Sequence, residues 1–263
     1  NLYKLLCVLA SHDEIMINQK NTAIFIPARL AATRLPNKPL ELIDNQPMII
    51  HVWKRAIESS LGKVVVATDS EEIAKLIKDE GGISVLTEQD HQSGSDRIYE
   101  ALLKIDTMNE IKYVINLQGD LPNILDINLQ QVLNILQNDT FEIGTLVAKI
   151  DTDMDLKNKN IVKALCDFNE NETITKTIDF TRTYDQATKN NHFHHIGVYS
   201  YRRSSLERFI NLPQSERETL FKLEQLRALD NNMNIGAALI DNLPLGVDTH
   251  EDLELVRNVM KKS

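Results

Sequence analysis

Arg29, Arg34 and Lys38 place three cations within ten residues, in a segment punctuated by Pro27, Pro36 and Pro39. Each proline fixes its own φ and pushes the preceding residue toward extended backbone, so the segment is a stiff loop. The apolar run just before it, residues 23–26, reads as a buried strand. A strand that opens into a cation-bearing loop, at the carboxyl edge of a parallel sheet, is where α/β proteins hold polyanions. Fixed cations suit a triphosphate, whose charge must be gathered and partly neutralised before phosphorus is attacked. Three cations alone equally suit a solvated basic loop.

Three further groups carry possible chemistry. Asn116-Leu117-Gln118-Gly119-Asp120 ends an apolar run, with Pro122 closing the turn. An Asp just past a strand's carboxyl end is placed to hold Mg²⁺ against nucleotide phosphates, and Gly119 lets backbone approach a ligand closely. A turn-capping Asp would look the same. Leu245-Gly246-Val247-Asp248-Thr249 precedes the last helical pattern. Thr249 and Asp252 suit an N-cap, which leaves Asp248 outside the helix, either a turn residue or the second carboxylate of a magnesium pair. His91-Gln92-Ser93-Gly94-Ser95-Asp96-Arg97 opens another helix. Its small hydroxyls and glycine could receive a polar ligand on free backbone N–H groups, or serve as a plain N-cap with Asp96 in the first turn.

These groups need a scaffold. A chain of 263 residues allows one large α/β domain or two small ones, and 42% hydrophobic with 25% charged residues is ordinary for a globular protein. The formal charge of −9 argues against a general nucleic-acid binder while leaving a locally positive cleft open. Two cysteines, Cys7 and Cys166, supply neither a disulfide framework nor a zinc site and point to a reducing compartment. The run Leu5-Leu6-Cys7-Val8-Leu9-Ala10 is too short to span a membrane. It suits a degenerate signal peptide or an extension ahead of Met16. The expectation is a functionless extension over residues 1–21, followed by one domain over 22–263.

Strand-like runs fall at residues 23–26, 63–68, 83–86, 113–117 and 143–148, with helical patterns between them at about 47–59, 70–80, 95–105 and 126–137. Asp69 with Glu72 suits the cap of the second helix and Gly81-Gly82 its end. Continuous apolar strands separated by amphipathic helices imply a three-layer α/β/α fold with a mostly parallel sheet. Beyond residue 150 the rhythm changes. Residues 161–168 and 173–180 suggest a hairpin around Asn169-Glu170-Asn171, and residues 194–202 another strand. Helices are expected at about 203–210, 217–231 and 250–261, and a mobile loop at 184–191.

In order along the chain, these segments resemble the cytidylyltransferases that activate acidic sugars, in particular those acting on 3-deoxy-manno-octulosonate (Kdo), the CMP-Kdo synthetases of lipopolysaccharide synthesis. The signature opens at Ile26-Pro27-Ala28-Arg29 and Thr33-Arg34-Leu35-Pro36-Asn37-Lys38-Pro39-Leu40. It continues through Val65-Val66-Ala67-Thr68-Asp69, the His91–Arg97 and Asn116–Asp120 groups, His195-Ile196-Gly197-Val198-Tyr199, Leu223-Glu224-Gln225-Leu226-Arg227 and Gly246-Val247-Asp248-Thr249. The likeness covers about residues 22–260. It implies a nucleotide-diphospho-sugar transferase-like mixed sheet. The nucleotide-binding part would span about 22–150 and 236–263, with a smaller sugar-binding and dimerisation part at about 151–235.

The resemblance further implies roles. Arg29, Arg34 and Lys38 bind the CTP triphosphate, and Asp120 and Asp248 hold Mg²⁺; these five form the catalytic set. Ala28, Thr68, Asp69, Ser93, Gly94 and Arg97 complete the nucleotide site. Gln118, Arg182, His195, Tyr199, Glu224 and Gln225 hold the sugar acid. On the residues alone, Glu224 and Gln225 suit an exposed helix face, and His195 and Tyr199 ordinary strand packing. The family also implies a cytoplasmic homodimer with no nucleic-acid or membrane partner. No side chain stands out as a general base.

Four departures mark this chain: Ala32 in place of a serine, Leu121 in place of an acid, Phe221 at an acidic position, and a shortened segment after Arg182. They bear mainly on the sugar side. Two other readings are a cytidylyltransferase for a nine-carbon sialic-type acid, and a degenerate nucleotide-binding module without catalysis.

Overall fold

The computed structural model describes residues 16–31 and 34–261. Of the expected extension over residues 1–21, residues 1–15 lie outside those residues, as does the substitution at Ala32. Residues 18–21 already belong to the fold. They form a turn whose Asn21 carbonyl accepts the N–H groups of Lys112 (2.7 Å) and Tyr113 (3.0 Å).

Nine strands build one sheet: β1 (Thr22–Ala28), β2 (Lys63–Thr68), β3 (Ile83–Leu86), β4 (Tyr113–Asn116), β5 (Ile143–Ala148), β6 (Lys163–Cys166), β7 (Ile174–Thr181), β8 (His192–Arg202) and β9 (Ile235–Ile240). Their order is β3-β2-β1-β4-β8-β5-β9-β7-β6. The β3-β2-β1-β4 half is parallel, with the inner strands β1, β2 and β4 almost wholly buried, as apolar parallel strands commonly are. β8 then runs antiparallel to both β4 and β5, while β5 and β9 are parallel. The expected β6–β7 hairpin about Asn169–Asn171 forms, with a register shift between Leu165 and Cys166, and β6 also pairs with the start of β8.

Alternation along each strand divides the core between two faces. Ile24 and Ile26 point to a cluster with helices α1 (Met48–Glu58), α2 (Glu71–Asp79) and α4 (Asp126–Asn134), through Ile49, Trp53, Ile73 and Leu129. Ala23 and Phe25 point to the other, where α3 (Gly94–Ile105) and α6 (Arg203–Asn211) bring Ile98, Leu102, Leu206 and Phe209. A short α5 (Asp153–Lys157) leads into the hairpin. The α/β/α layering expected from the sequence is the one observed.

Three local expectations change. Ser70, not Asp69, caps α2 by accepting the Ile73 N–H, and Asp69 is drawn instead to Arg97. The helix expected at 217–231 is two, α7 (Glu216–Phe221) and α8 (Gln225–Asp230), separated by Lys222 in the left-handed region at φ 54°. The buried Arg227 guanidinium grips both oxygens of buried Glu218, at 2.9 and 2.6 Å. Nine residues of unbroken helix would hold those residues about 13 Å apart, so the pair requires the break. Strand β9, an apolar run at residues 235–240, was not among the expected elements; within the 184–191 loop, short 3₁₀ turns over Gln186–Asn191 meet at a kink at Thr188. The last helix, α9 (His250–Met260), starts from the anticipated Thr249–Asp252 capping box. Among the described residues no helix is long and apolar enough to cross a membrane.

Candidate active site

β1, β2 and β4 all end on the same edge of the parallel half, and a cleft of about 320 Å³ opens there. Its walls include Ala28, Arg29, Arg34, Lys38, Ser93, Gly94, Arg97, Gln118, Asp120 and Asp248.

The loop after β1 is shaped by its own backbone. The Asn37 N–H donates to the Leu30 carbonyl at 3.2 Å, and Asn37 itself sits at φ 57°, turning the chain into a single 3₁₀ turn at Lys38–Leu40. Leu35, Ile43 and Met48 then bury against Val247, Leu253 and Val256, which fastens this loop to the start of α9. Two further bonds stitch the acidic loops together: Val247 N–H to the Asp120 carbonyl (3.0 Å) and Leu245 N–H to Asn123 Oδ1 (2.9 Å). A Cβ on Gly119 would lie 3.0 Å from the Pro27 carbonyl, a tight approach that glycine avoids.

Asp120 and Asp248, distant in the chain, therefore face one another. The Lys38 ammonium lies between them, 2.7 Å from Asp120 Oδ2 and 3.2 Å from Asp248 Oδ1. Arg34 reaches the other Asp248 oxygen at 3.0 Å. Burial alone would lower the Lys38 pKa; the two carboxylates outweigh it and hold the pKa above its ordinary value. Arg29 is exposed on the cleft wall, with no ion-pair partner among the described residues. Leu121, where an acid was expected, is buried in the core cluster beneath.

At the other end of the cleft, Ser93 caps α3 in a full capping box with Asp96. Arg97 is buried and committed to the preceding loop, bonding Thr87, the Glu88 carbonyl and Asp69 at 2.6, 3.1 and 3.0 Å. Thr68 and Asp69 thus support the cleft from behind: the Thr68 hydroxyl accepts the Ser70 N–H. His91 and Gln92 line the same wall, a role that sequence reasoning missed. His91 Nε2 is bonded to Glu100, whose carboxyl burial would raise; Lys104, His91 and the Glu88 N–H instead pull it down to about 2.

The residues expected on the sugar side divide. Gln118 stands in the cleft, its amide donating to Asn116 at 3.1 Å. Tyr199, Glu224 and Gln225 line one small separate pocket with Tyr201, and the His195 ring packs on that of Tyr199 at 5.6 Å between centroids. A bulge in β8 separates His195 from Tyr199. Residues 197–198 are extra relative to β5, and the Thr145 hydroxyl stitches them through contacts with the Ile196 and Val198 carbonyls and His195 Nε2, at 3.2, 3.0 and 3.1 Å.

Burial lowers the His195 pKa to about 3, so the ring is neutral near pH 7, and it raises the Tyr199 hydroxyl well above its usual value. Glu224 follows the α7–α8 break and is not on an exposed face. Its carboxyl is shifted up by burial, against hydrogen bonds from Ser93 and Ser95, and its Oε1 is buried without a hydrogen-bond partner. Arg182 stands apart, donating to the Phe221 and Lys159 carbonyls at 3.3 and 3.4 Å.

Such a cleft can hold a polyanion on three cations. Its paired carboxylates could also share a hard divalent cation. Among the described residues there is no cluster of three or more His, Cys, Asp or Glu side chains able to do so. Any such ion would therefore complete its shell with water and substrate oxygens.

The family profile described as Cytidylyltransferase matches residues 23–235. A 3-deoxy-manno-octulosonate cytidylyltransferase of Paramagnetospirillum magneticum is 45% identical over 238 residues, 90% of this chain and 97% of the relative. Its counterpart in Afipia carboxidovorans is 46% identical over 246 residues, 94% and 99% of the two chains. Among solved structures, a CMP:2-keto-3-deoxy-manno-octonic acid synthetase complexed with CTP superposes with a TM-score of 0.82 at 33% identity, covering 92% of this chain and 99% of the other. An apo UDP-glucose pyrophosphorylase, 14% identical with TM-score 0.68 over 94% and 99%, shares the fold.

Proposed function

This chain belongs to the 3-deoxy-manno-octulosonate cytidylyltransferase family, and from that premise we propose that it transfers the cytidylyl group of CTP to the anomeric hydroxyl of Kdo, releasing pyrophosphate, in lipopolysaccharide synthesis. The observation that carries the reading is the convergence of Asp120 and Asp248 on one positive centre beside Arg34.

In this reading Arg29, Arg34 and Lys38 gather the triphosphate, and Ser93, Gly94 and Arg97 bound the nucleoside end. Asp69 holds Arg97 directly, and the Thr68 carbonyl holds Thr87, whose hydroxyl accepts from Arg97. Gln118, His195, Tyr199, Glu224 and Gln225 take the sugar acid. The unpartnered Glu224 oxygen supports this, because a buried acceptor suits a sugar hydroxyl donor. Neutral His195 contributes a hydrogen bond rather than a charge. Arg182, bonded to backbone carbonyls, serves the sugar side only if it leaves them.

The sugar's anomeric oxygen attacks the α-phosphorus in line, its hydroxyl proton passing to solvent; the new O–P bond forms as the bond from the α-phosphorus to the bridging oxygen breaks. The three cations hold the departing pyrophosphate, so catalysis is positioning plus charge stabilisation without a covalent protein intermediate.

Mg²⁺ fits the residues present: Asp120 and Asp248 already share a single cation in Lys38, and magnesium commonly takes one or two carboxylates. When bound it would lower the pKa of the anomeric hydroxyl and screen the phosphates, replacing a general base.

We also infer a homodimer working in the cytoplasm. The antiparallel half exposes Ile178, Leu220 and Phe221, apolar side chains that a second copy would cover.

The test is pyrophosphate release from CTP and Mg²⁺ with a panel of sugar acids. Release with Kdo is expected. Release only with a nine-carbon sialic-type acid, or CTP binding without release for any acid, would overturn the reading.

A further inference from the structure

Lys38 does more than line the cleft: its ammonium sits where the two proposed metal ligands converge, 2.7 Å from Asp120 and 3.2 Å from Asp248. We propose that Lys38 is an internal counter-ion that keeps a divalent cation off this carboxylate pair until the nucleotide triphosphate draws the ammonium away. The inference rests on the metal assignment given under the proposed function.

The position is built rather than incidental. Lys38 opens a 3₁₀ turn, with Asn37 in the left-handed region and buried Pro39 beside it, so its backbone is fixed. The Leu35–Val247–Leu253 cluster clamps that turn to the loop bearing Asp248. The ammonium is largely screened from solvent, with 18% of the side chain exposed, whereas the Arg34 side chain that shares Asp248 is 62% exposed. Lys38 is therefore the cation that a metal must displace, and Arg34 the one that can follow solvent and phosphate freely. The flexible four-carbon stem of lysine allows the displacement without moving the turn.

A triphosphate in the cleft offers the ammonium new oxygens within the same wall. The ammonium then exchanges its two charge-assisted bonds with the carboxylates for bonds with phosphate, and the acidic pair is released to bind metal. Nucleotide and divalent cation become positively coupled, each binding more tightly once the other is present. In the free protein, binding a metal would instead strand the ammonium beside a second cation, which is unfavourable in a partly dry site.

The experiment is Mn²⁺ binding followed by electron paramagnetic resonance, without nucleotide, on the wild-type protein, Lys38→Met and Lys38→Gln. Both variants are expected to bind Mn²⁺ about tenfold more tightly or better, and adding Asp120→Asn to Lys38→Met should abolish the gain. Unchanged or weaker Mn²⁺ binding in both variants overturns the inference.

Because removing Lys38 leaves two carboxylates facing each other, the variants could be less stable. The rise in Tm on adding Mn²⁺ is then the second readout. It should exceed the wild-type rise in both variants, and an equal or smaller rise counts against the proposal. Failure of this inference is distinguishable from failure of the metal reading, which would appear separately as metal-independent turnover in the wild-type enzyme.

Discussion

Arg34 and His195 show how differently two polar side chains can serve one site. Arg34 is exposed and paired only with Asp248 among the described residues, so it is free to exchange that carboxylate for phosphate. Arg34→Ala should weaken CTP binding by about tenfold, the scale of a charge-assisted contact, while leaving the free sugar acid unaffected; calorimetric titration of each ligand checks this. Equal loss for both ligands would remove Arg34 from the triphosphate site. His195 is the opposite case, a ring whose burial drives its pKa down to about 3. The unfolded chain therefore binds a proton that the folded chain refuses between the ordinary histidine value and about pH 3, and stability must fall as pH drops through that window. His195→Gln should flatten that part of the stability curve in urea titrations run from pH 7 to 4. An unchanged slope would mean the ring is not held neutral.

At the scale of elements, the bulge in β8 couples the sheet to the sugar side. Thr145→Val keeps the shape of the side chain but removes the hydroxyl that touches the Ile196 and Val198 carbonyls and His195. A loss of about 1–2 kcal/mol in stability is expected. The KM for the sugar acid should rise more than that for CTP, because Tyr199 lies immediately past the bulge; steady-state kinetics with each substrate varied distinguishes the two.

This is also where legibility from sequence ended. The strands at 63–68, 83–86 and 143–148 were readable because each is a short, mostly apolar run rich in Val, Ile and Leu, and the observed strands have those same limits. The α7–α8 break was not readable. Its local pattern is helical throughout, and only the buried Arg227–Glu218 pair, a tertiary contact, forces the turn that buries Glu224. Likewise Asp69 offered a plausible cap, but Arg97, distant in sequence, competes for it and leaves the cap to Ser70.

For the whole molecule, convergence is the property that no single segment encodes. The motifs around Asp120 and Asp248 were each ambiguous as residues, and their order along the chain made them a family signature. What the fold adds is the reason they meet: two backbone-directed bonds and one small apolar cluster pin three loops at a sheet edge. The exposed apolar residues of the antiparallel half make a prediction at this scale. Light scattering should give twice the chain mass, and Ile178→Glu with Leu220→Glu should reduce it to that of one chain. A monomeric wild-type protein would contradict the dimer.

The central claim is that Asp120 and Asp248 act together on the reacting phosphate. It is tested most directly by kcat for Asp120→Asn and Asp248→Asn at saturating Mg²⁺, CTP and Kdo. Each variant should lose about a hundredfold or more while melting close to the wild-type temperature. A rate equal to wild type in either variant would contradict the account.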